Sequence, residues 1–175
     1  MLIGRFKNTA FCGRKQDESE NFFTNNLLDY FGLFGYIRVK KRREEKPMAH
    51  LTPKEILARA KEFLQGADYA VQNNCFNVGA ICSYAALFWA ARAALAYEGF
   101  NQPTWEHGEL QSKFRDELIK NKGRYPRNFG AWLVNAFALR NSAQYQLGHP
   151  KVKEVRRMAY HAKEFIRKID EVLNK

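Results

Sequence analysis

Between residues 53 and 72, apolar side chains return every three or four positions, at Ile56, Ala60, Phe63, Ala67 and Ala70. That interval places them on one face of an α-helix. The stretch opens on Thr52-Pro53-Lys54-Glu55, a capping box with proline at the first helical position, and closes on Asn73-Asn74. A second helix is predicted from about Asn77 to Gly99, with Val78, Ile81, Cys82, Ala85, Phe88, Ala91 and Leu95 as its core face. It is apolar nearly all round, which predicts the buried centre of a bundle. After a loop at Asn101-Gln102-Pro103, a third helix is predicted over residues 106–120. Asn128 is the expected cap of a fourth, whose apolar positions are Trp132, Leu133, Ala136, Phe137 and Leu139 and whose end is expected near Gly148. Pro150 opens a fifth, in which Val152, Val155, Ala159, Ala162, Ile166, Ile169 and Leu173 repeat at helical spacing. Its other face carries Lys153, Arg156, Arg157, Lys163, Arg167 and Lys168. Short turns and no strand pattern predict an all-α fold, a five-helix up-and-down bundle over residues 51–175.

The N-terminal part reads differently. Lys40-Lys41-Arg42-Arg43-Glu44-Glu45-Lys46-Pro47 is a charged run of linker type, and residues before it show no sustained period beyond a short strand or hairpin over 33–39. A second reading stands beside this one. Arg-Arg-Glu-Glu is codable by an almost pure purine stretch, like a translated ribosome-binding site, and Met48 would then be the start. Residues 1–47 are accordingly taken as an N-terminal extension with no function assigned.

Composition narrows the chemistry. Hydrophobic residues make up 46% of the 175, too many for a disordered chain. Lys and Arg number 29 against 18 acidic residues, and the net charge of +11 favours polyanionic partners such as RNA or nucleotides. The three cysteines, Cys12, Cys75 and Cys82, form no C-x-x-C pair; Cys75 and Cys82 are expected as buried thiols of a reducing, cytoplasmic protein. The longest apolar run, 14 residues from Val78 to Ala91, falls short of the roughly 20 a membrane span needs, so no membrane association is expected. There is no Gly-rich phosphate loop, nucleophile elbow or metal-spaced His/Cys set, so neither metal nor cofactor is expected.

One ordered set of motifs goes further. Ser83-Tyr84-Ala85-Ala86-Leu87-Phe88-Trp89-Ala90-Ala91-Arg92-Ala93-Ala94-Leu95 precedes Thr104-Trp105-Glu106-His107-Gly108, then Phe114, then Ala138-Leu139-Arg140-Asn141-Ser142-Ala143-Gln144-Tyr145 and a long last helix. This order resembles the HEPN domain, in particular the small prokaryotic HEPN proteins encoded beside minimal nucleotidyltransferases, and the likeness covers residues 51–175. The resemblance implies a homodimer and, in many members, a metal-independent ribonuclease toxin. The family signature is an Arg with a polar neighbour and a His after four to six residues. Carried over, Arg140 is that Arg, Asn141 its neighbour, and Tyr145 stands in place of the His. A tyrosine of pKa about 10 is only about a thousandth ionised at neutral pH, so it is a poor base. His107, which matches a His of the related sequences, is the candidate to supply imidazole chemistry; a helix-start His bonded to a carboxylate is the plainer reading. Arg140 suits phosphate through its planar fork, or else serves as a helix-end cation.

Three further residues are weighed with these. Arg92, on the apolar helix, needs a partner if buried: a core carboxylate, or a place in the same cleft. His149 follows Arg140 by nine residues and lies beyond Gly148, either a second phosphate contact or a loop His. His161 is expected as partly buried structure. On a straight helix Arg140 and Tyr145 stand about 140° apart, so a two-fold pairing of subunits is expected to complete any site. The expected function is RNA or nucleotide binding, with ribonuclease-toxin activity as its enzymatic form and a nucleotidyltransferase antitoxin as partner. The alternative is a non-catalytic helical partner of a minimal nucleotidyltransferase.

Overall fold

The computed structural model describes residues 51–175; the linker, the strand or hairpin over 33–39 and the start at Met48 lie outside the described residues. Helix α1 spans Pro53–Gln72. The Thr52 hydroxyl accepts from the Glu55 N–H, and the Glu55 carboxylate accepts from the Thr52 N–H at 2.7 Å, so the predicted capping box is formed. At the far end the Asn73 amide donates to the Tyr69 carbonyl, and Asn74 turns the chain at φ 59°. Helix α2 is Phe76–Tyr97, α3 His107–Lys113, α4 Asn128–Tyr145 and α5 Val152–Leu173, with a π-helical stretch, Phe114–Asn121, prolonging α3. No strand occurs among the described residues, and the fold is an all-α, five-helix bundle.

Helix α2 packs against α1, α4 and α5 and also touches α3. Small residues make this close approach feasible. A Cβ placed on Gly79 would lie 3.1 Å from Val71 Cγ2 of α1 and 3.2 Å from Val155 Cγ1 of α5. The buried positions of α2 are Gly79, Ala80, Ser83, Tyr84, Ala86, Leu87, Ala90, Ala91, Ala93, Ala94 and Leu95. The expected core face therefore needs correction: Ala91 and Leu95 are buried, Ile81, Cys82, Ala85 and Phe88 only partly, and Val78 is 51% exposed. A helix apolar on every side carries no directional signal, so its pattern gives burial without orientation. The same helix is the one described element long and apolar enough to cross a membrane, but 61% of that window is buried inside the bundle. It is a core helix.

Other expectations shift for local reasons. Cys75 is exposed, because it lies in the turn ahead of α2 rather than on an apolar face, and Cys82 is half-buried. Asn128 is the first residue of α4 and caps nothing; the Phe129 N–H bonds back to the Pro126 carbonyl, so a backbone turn starts the helix. Helix α4 ends at Tyr145, three residues before Gly148, where Gln146 turns extended. Helix α5 begins at Val152, and Val152 itself is largely exposed. The π-helical stretch was not legible in the pattern. Phe114, Leu118 and Ile119 are all buried, and hydrogen bonding from i to i+5 brings residues five apart onto one face. It is tied to the end of α2 by Glu98, whose side chain is 8% exposed and pairs with Lys122 and, at 3.1 Å, with Arg124.

The core is rich in stacked rings. Phe165 is fully buried, with Phe129 at 4.5 Å and Phe114 at 5.3 Å between centroids. Phe165→Ala removes both contacts and should destabilise the bundle by about 3–5 kcal/mol. Urea denaturation measures this, and a loss below about 1 kcal/mol would contradict the packing described.

Candidate functional site

Helix α4 presents two stripes on different sides. Phe137, Arg140, Asn141 and Gln144 follow one another at i, i+3, i+4 and i+7, and Phe137 faces rings of α2 and α3: its centroid lies 5.4 Å from Tyr84 and 5.0 Å from His107. Asn135, Ala138, Leu139 and Ser142 instead line a cleft of about 490 Å³ with His149 and the start of α5.

His107 is the first residue of α3 and is caged by aromatic rings, Tyr84 and Phe88 of α2 and Phe137 of α4. Its Nδ1 lies 2.6 Å from the Tyr84 hydroxyl. Burial holds its pKa below the ordinary imidazole value; the positive charge of Arg140 acts in the same direction and Glu106 opposes it. Its position at a helix start, where N–H groups point outward, also disfavours a cation. The imidazole is thus kept neutral near pH 7. Tyr84, 4% exposed, is held well above the usual phenol range by burial, with Gln111 and Arg140 pulling the other way.

Arg140 is half-buried, and no carboxylate pairs with it among the described residues. Its Nη1 donates to Asn141 Oδ1 at 2.9 Å, and its guanidinium carbon sits 5.6 Å from the Tyr145 ring centre. The long side chain spans the angular gap that separates the two positions on the helix. Arg140, Asn141 and Tyr145 are therefore neighbours within one subunit, and the charge of Arg140 reaches His107 and Tyr84. Tyr145 is 69% exposed at the helix end. A cation without a counter-charge, beside neutral donors and an open aromatic ring, is an arrangement that suits an anion carrying acceptor oxygens.

The HEPN domain family model matches residues 53–172. The chain belongs to the HEPN domain family. No curated protein matches it. Within this HEPN domain, Arg140, Asn141 and Tyr145 stand together at the end of α4, and His107, packed on Phe137 one turn earlier along that helix, feels the Arg140 charge. Two lie elsewhere. Arg92 donates through Nη2 to the carbonyls of Gln102 and Pro103, both at 3.0 Å, and lies over the Trp89 ring, so it fastens the α2–α3 loop. His149 is exposed in the cleft on the other side of α4, beside Asn135, Ser142, Lys151, Glu154 and Arg157. His161 is half-buried and stacks on Trp132 at 4.1 Å, within 6° of parallel.

Sequence reasoning did not pick out Tyr84 as a site residue. It stands in the motif that carries the resemblance, on a helix apolar nearly all round, and only the return of the chain at His107 shows what the hydroxyl meets. Among the described residues no group of three or more His, Cys, Asp or Glu is placed to hold a metal ion.

The action of the Arg140 charge on His107 is directly measurable. Arg140→Gln removes a positive charge that opposes protonation of His107, so the ring's titration midpoint should rise. Because burial holds the folded pKa below the unfolded reference of about 6.5, the stability tied to this group is present above that pH and lost as pH falls. Arg140→Gln should lessen that acid loss. Proton NMR titration of the His107 ring reads the shift, and an unchanged midpoint would separate the two residues.

Proposed function

We propose that this protein binds RNA or nucleotide phosphate at the Arg140 end of α4, and that its enzymatic form is metal-independent RNA cleavage. The observation that carries this reading is Arg140: half-buried, with no carboxylate partner among the described residues, in contact with Asn141 and Tyr145, and with its charge acting on His107. In RNA cleavage the attacking 2′-hydroxyl must lose a proton, the leaving oxygen must gain one, and the phosphate's growing charge needs a cation. Arg140 fills the last role, since its fork matches two phosphate oxygens. His107 carries the imidazole for proton transfer once its Nδ1 is freed from the Tyr84 hydroxyl. Tyr145 offers a ring for stacking on a base and a hydroxyl for hydrogen bonding. Arg140 of a second copy would add a further cation, and the exposed Tyr145 and Leu147 at the end of α4 suit a symmetric pairing that joins the two sites.

A second reading is supported by the exposure of Tyr145. As a non-catalytic helical partner of a minimal nucleotidyltransferase, the protein would present this hydroxyl as the acceptor of a nucleotidyl group from a nucleoside triphosphate, with pyrophosphate leaving, and the site would be silenced.

Three experiments test these readings. Purified protein is incubated with total RNA, with and without chelator, beside Arg140→Ala. Hydrogen bonds to charged groups contribute about 1.5–3 kcal/mol, so Arg140→Ala should weaken RNA binding roughly tenfold to a hundredfold and abolish cleavage. Arg140→Lys should restore only part of either, because a point charge lacks the fork. Tyr145→His should maintain or raise cleavage near neutral pH, where imidazole serves as a base. An Arg140→Ala protein that binds and cleaves like its parent would leave the partner reading standing. Light scattering at micromolar concentrations should report twice the monomer mass, and a strict monomer would remove the joined site.

A further inference from the structure

We infer that Tyr84 is a positioning residue that fixes the tautomer of His107, holding the proton on Nε2 so that the ring presents a hydrogen-bond donor at the Arg140 site. This deepens the phosphate-binding reading above and rests on it for its functional meaning, though not for its test.

The contact is a 2.6 Å approach between the Tyr84 hydroxyl and His107 Nδ1, and two arrangements satisfy it. Either the phenol donates to a bare Nδ1, or a protonated Nδ1 donates to the phenol oxygen. Three observations favour the first. Tyr84 is 4% exposed and burial keeps it un-ionised, so its hydrogen is present and must find an acceptor. His107 Nδ1 is the polar atom within hydrogen-bond distance of it. The positive charge of Arg140 favours negative charge on the Tyr84 oxygen, which strengthens the phenol as a donor. An imidazole lone pair is also a far better acceptor than a phenol oxygen.

With Nδ1 occupied, the proton of the neutral ring sits on Nε2, on the far side of the ring from the phenol. The aromatic cage of Tyr84, Phe88 and Phe137 limits rotation of the ring, so the Nε2–H direction is set by the fold. The charged or titratable groups that act on His107 are Tyr84 from α2, Arg140 from α4 and Glu106 just ahead of the ring's own helix. Arg140 and His107 then both offer N–H groups, the combination that donates to phosphodiester oxygens. In this tautomer the ring donates to phosphate and accepts no proton at Nε2. Base chemistry would first require Tyr84 to release Nδ1.

The test uses the full chain labelled with ¹⁵N in histidine, without RNA, above the ring's titration midpoint. The His107 signal is assigned by its absence in His107→Gln. In the parent, Nδ1 should give a bare-nitrogen shift and Nε2 a protonated one, with a Tyr84 hydroxyl proton coupled across the hydrogen bond to Nδ1. Tyr84→Phe should move both nitrogen shifts toward averaged values and raise the ring's titration midpoint, because the donor that favours the neutral ring is gone. A parent spectrum with the proton on Nδ1 overturns the inference. So does a Tyr84→Phe protein whose nitrogen shifts and midpoint match the parent. Far-UV circular dichroism confirms that this conservative variant remains helical. Since no RNA is present, failure here is distinct from failure of the RNA-binding reading, which Arg140→Ala addresses.

Discussion

The rest of the molecule depends on covering α2. Twenty-two residues, Phe76–Tyr97, carry one basic side chain and little else that water would accept, so other helices must enclose the segment on several sides. Its alanines and Gly79 let α1 and α5 come close, and the fully buried Ser83 returns its hydroxyl to the Gly79 carbonyl at 2.7 Å rather than leaving it unpaired. Arg92 escapes burial of a bare charge by reaching out to the loop carbonyls at Gln102 and Pro103 and lying on Trp89.

That escape places the candidate site. By gripping residues 102 and 103, Arg92 fixes the path of the chain after α2, and four residues later His107 meets Tyr84 and Phe88 of the helix the chain has just left. Glu98 performs a similar service further along, holding Lys122 and Arg124 so that the π-helical continuation of α3 stays against the end of α2. Helix α4 then closes over this pair with Phe137 against the rings and Arg140 one turn on. The polar contacts at the site are thus set by loop and helix-end geometry, while the apolar packing supplies rigidity and the low polarity that keeps His107 and Tyr84 neutral.

These two kinds of constraint differ in how well they can be read from sequence. The capping box at Thr52 and Glu55 is a local chemical pattern, and so is the spacing of Val155, Ala159, Ala162, Ile166 and Ile169 on α5; both are found where the pattern puts them. The core face of α2 and the π-helical stretch depend on neighbours brought from elsewhere, and no spacing rule contains them. The same division holds at the site. The run Arg140, Asn141 and Tyr145 at one helix end was legible, but helix geometry set Arg140 and Tyr145 about 140° apart, and the 5.6 Å reach of Arg140 to the ring comes from side-chain length. The Tyr84–His107 contact joins residues 23 apart across a loop, and the placement of His149 behind α4 follows from where that helix stops.

The most direct test of a phosphate site at the Arg140 end is backbone amide NMR of the protein titrated with a short single-stranded RNA whose 2′-hydroxyls are methylated, so that it binds without being cut. The largest shifts should fall on His107, Phe137, Arg140, Asn141 and Gln144. Shifts confined to the basic outer face of α5, at Lys153, Arg156 and Lys163, would show that the net charge attracts RNA elsewhere and that the Arg140 end is not the site.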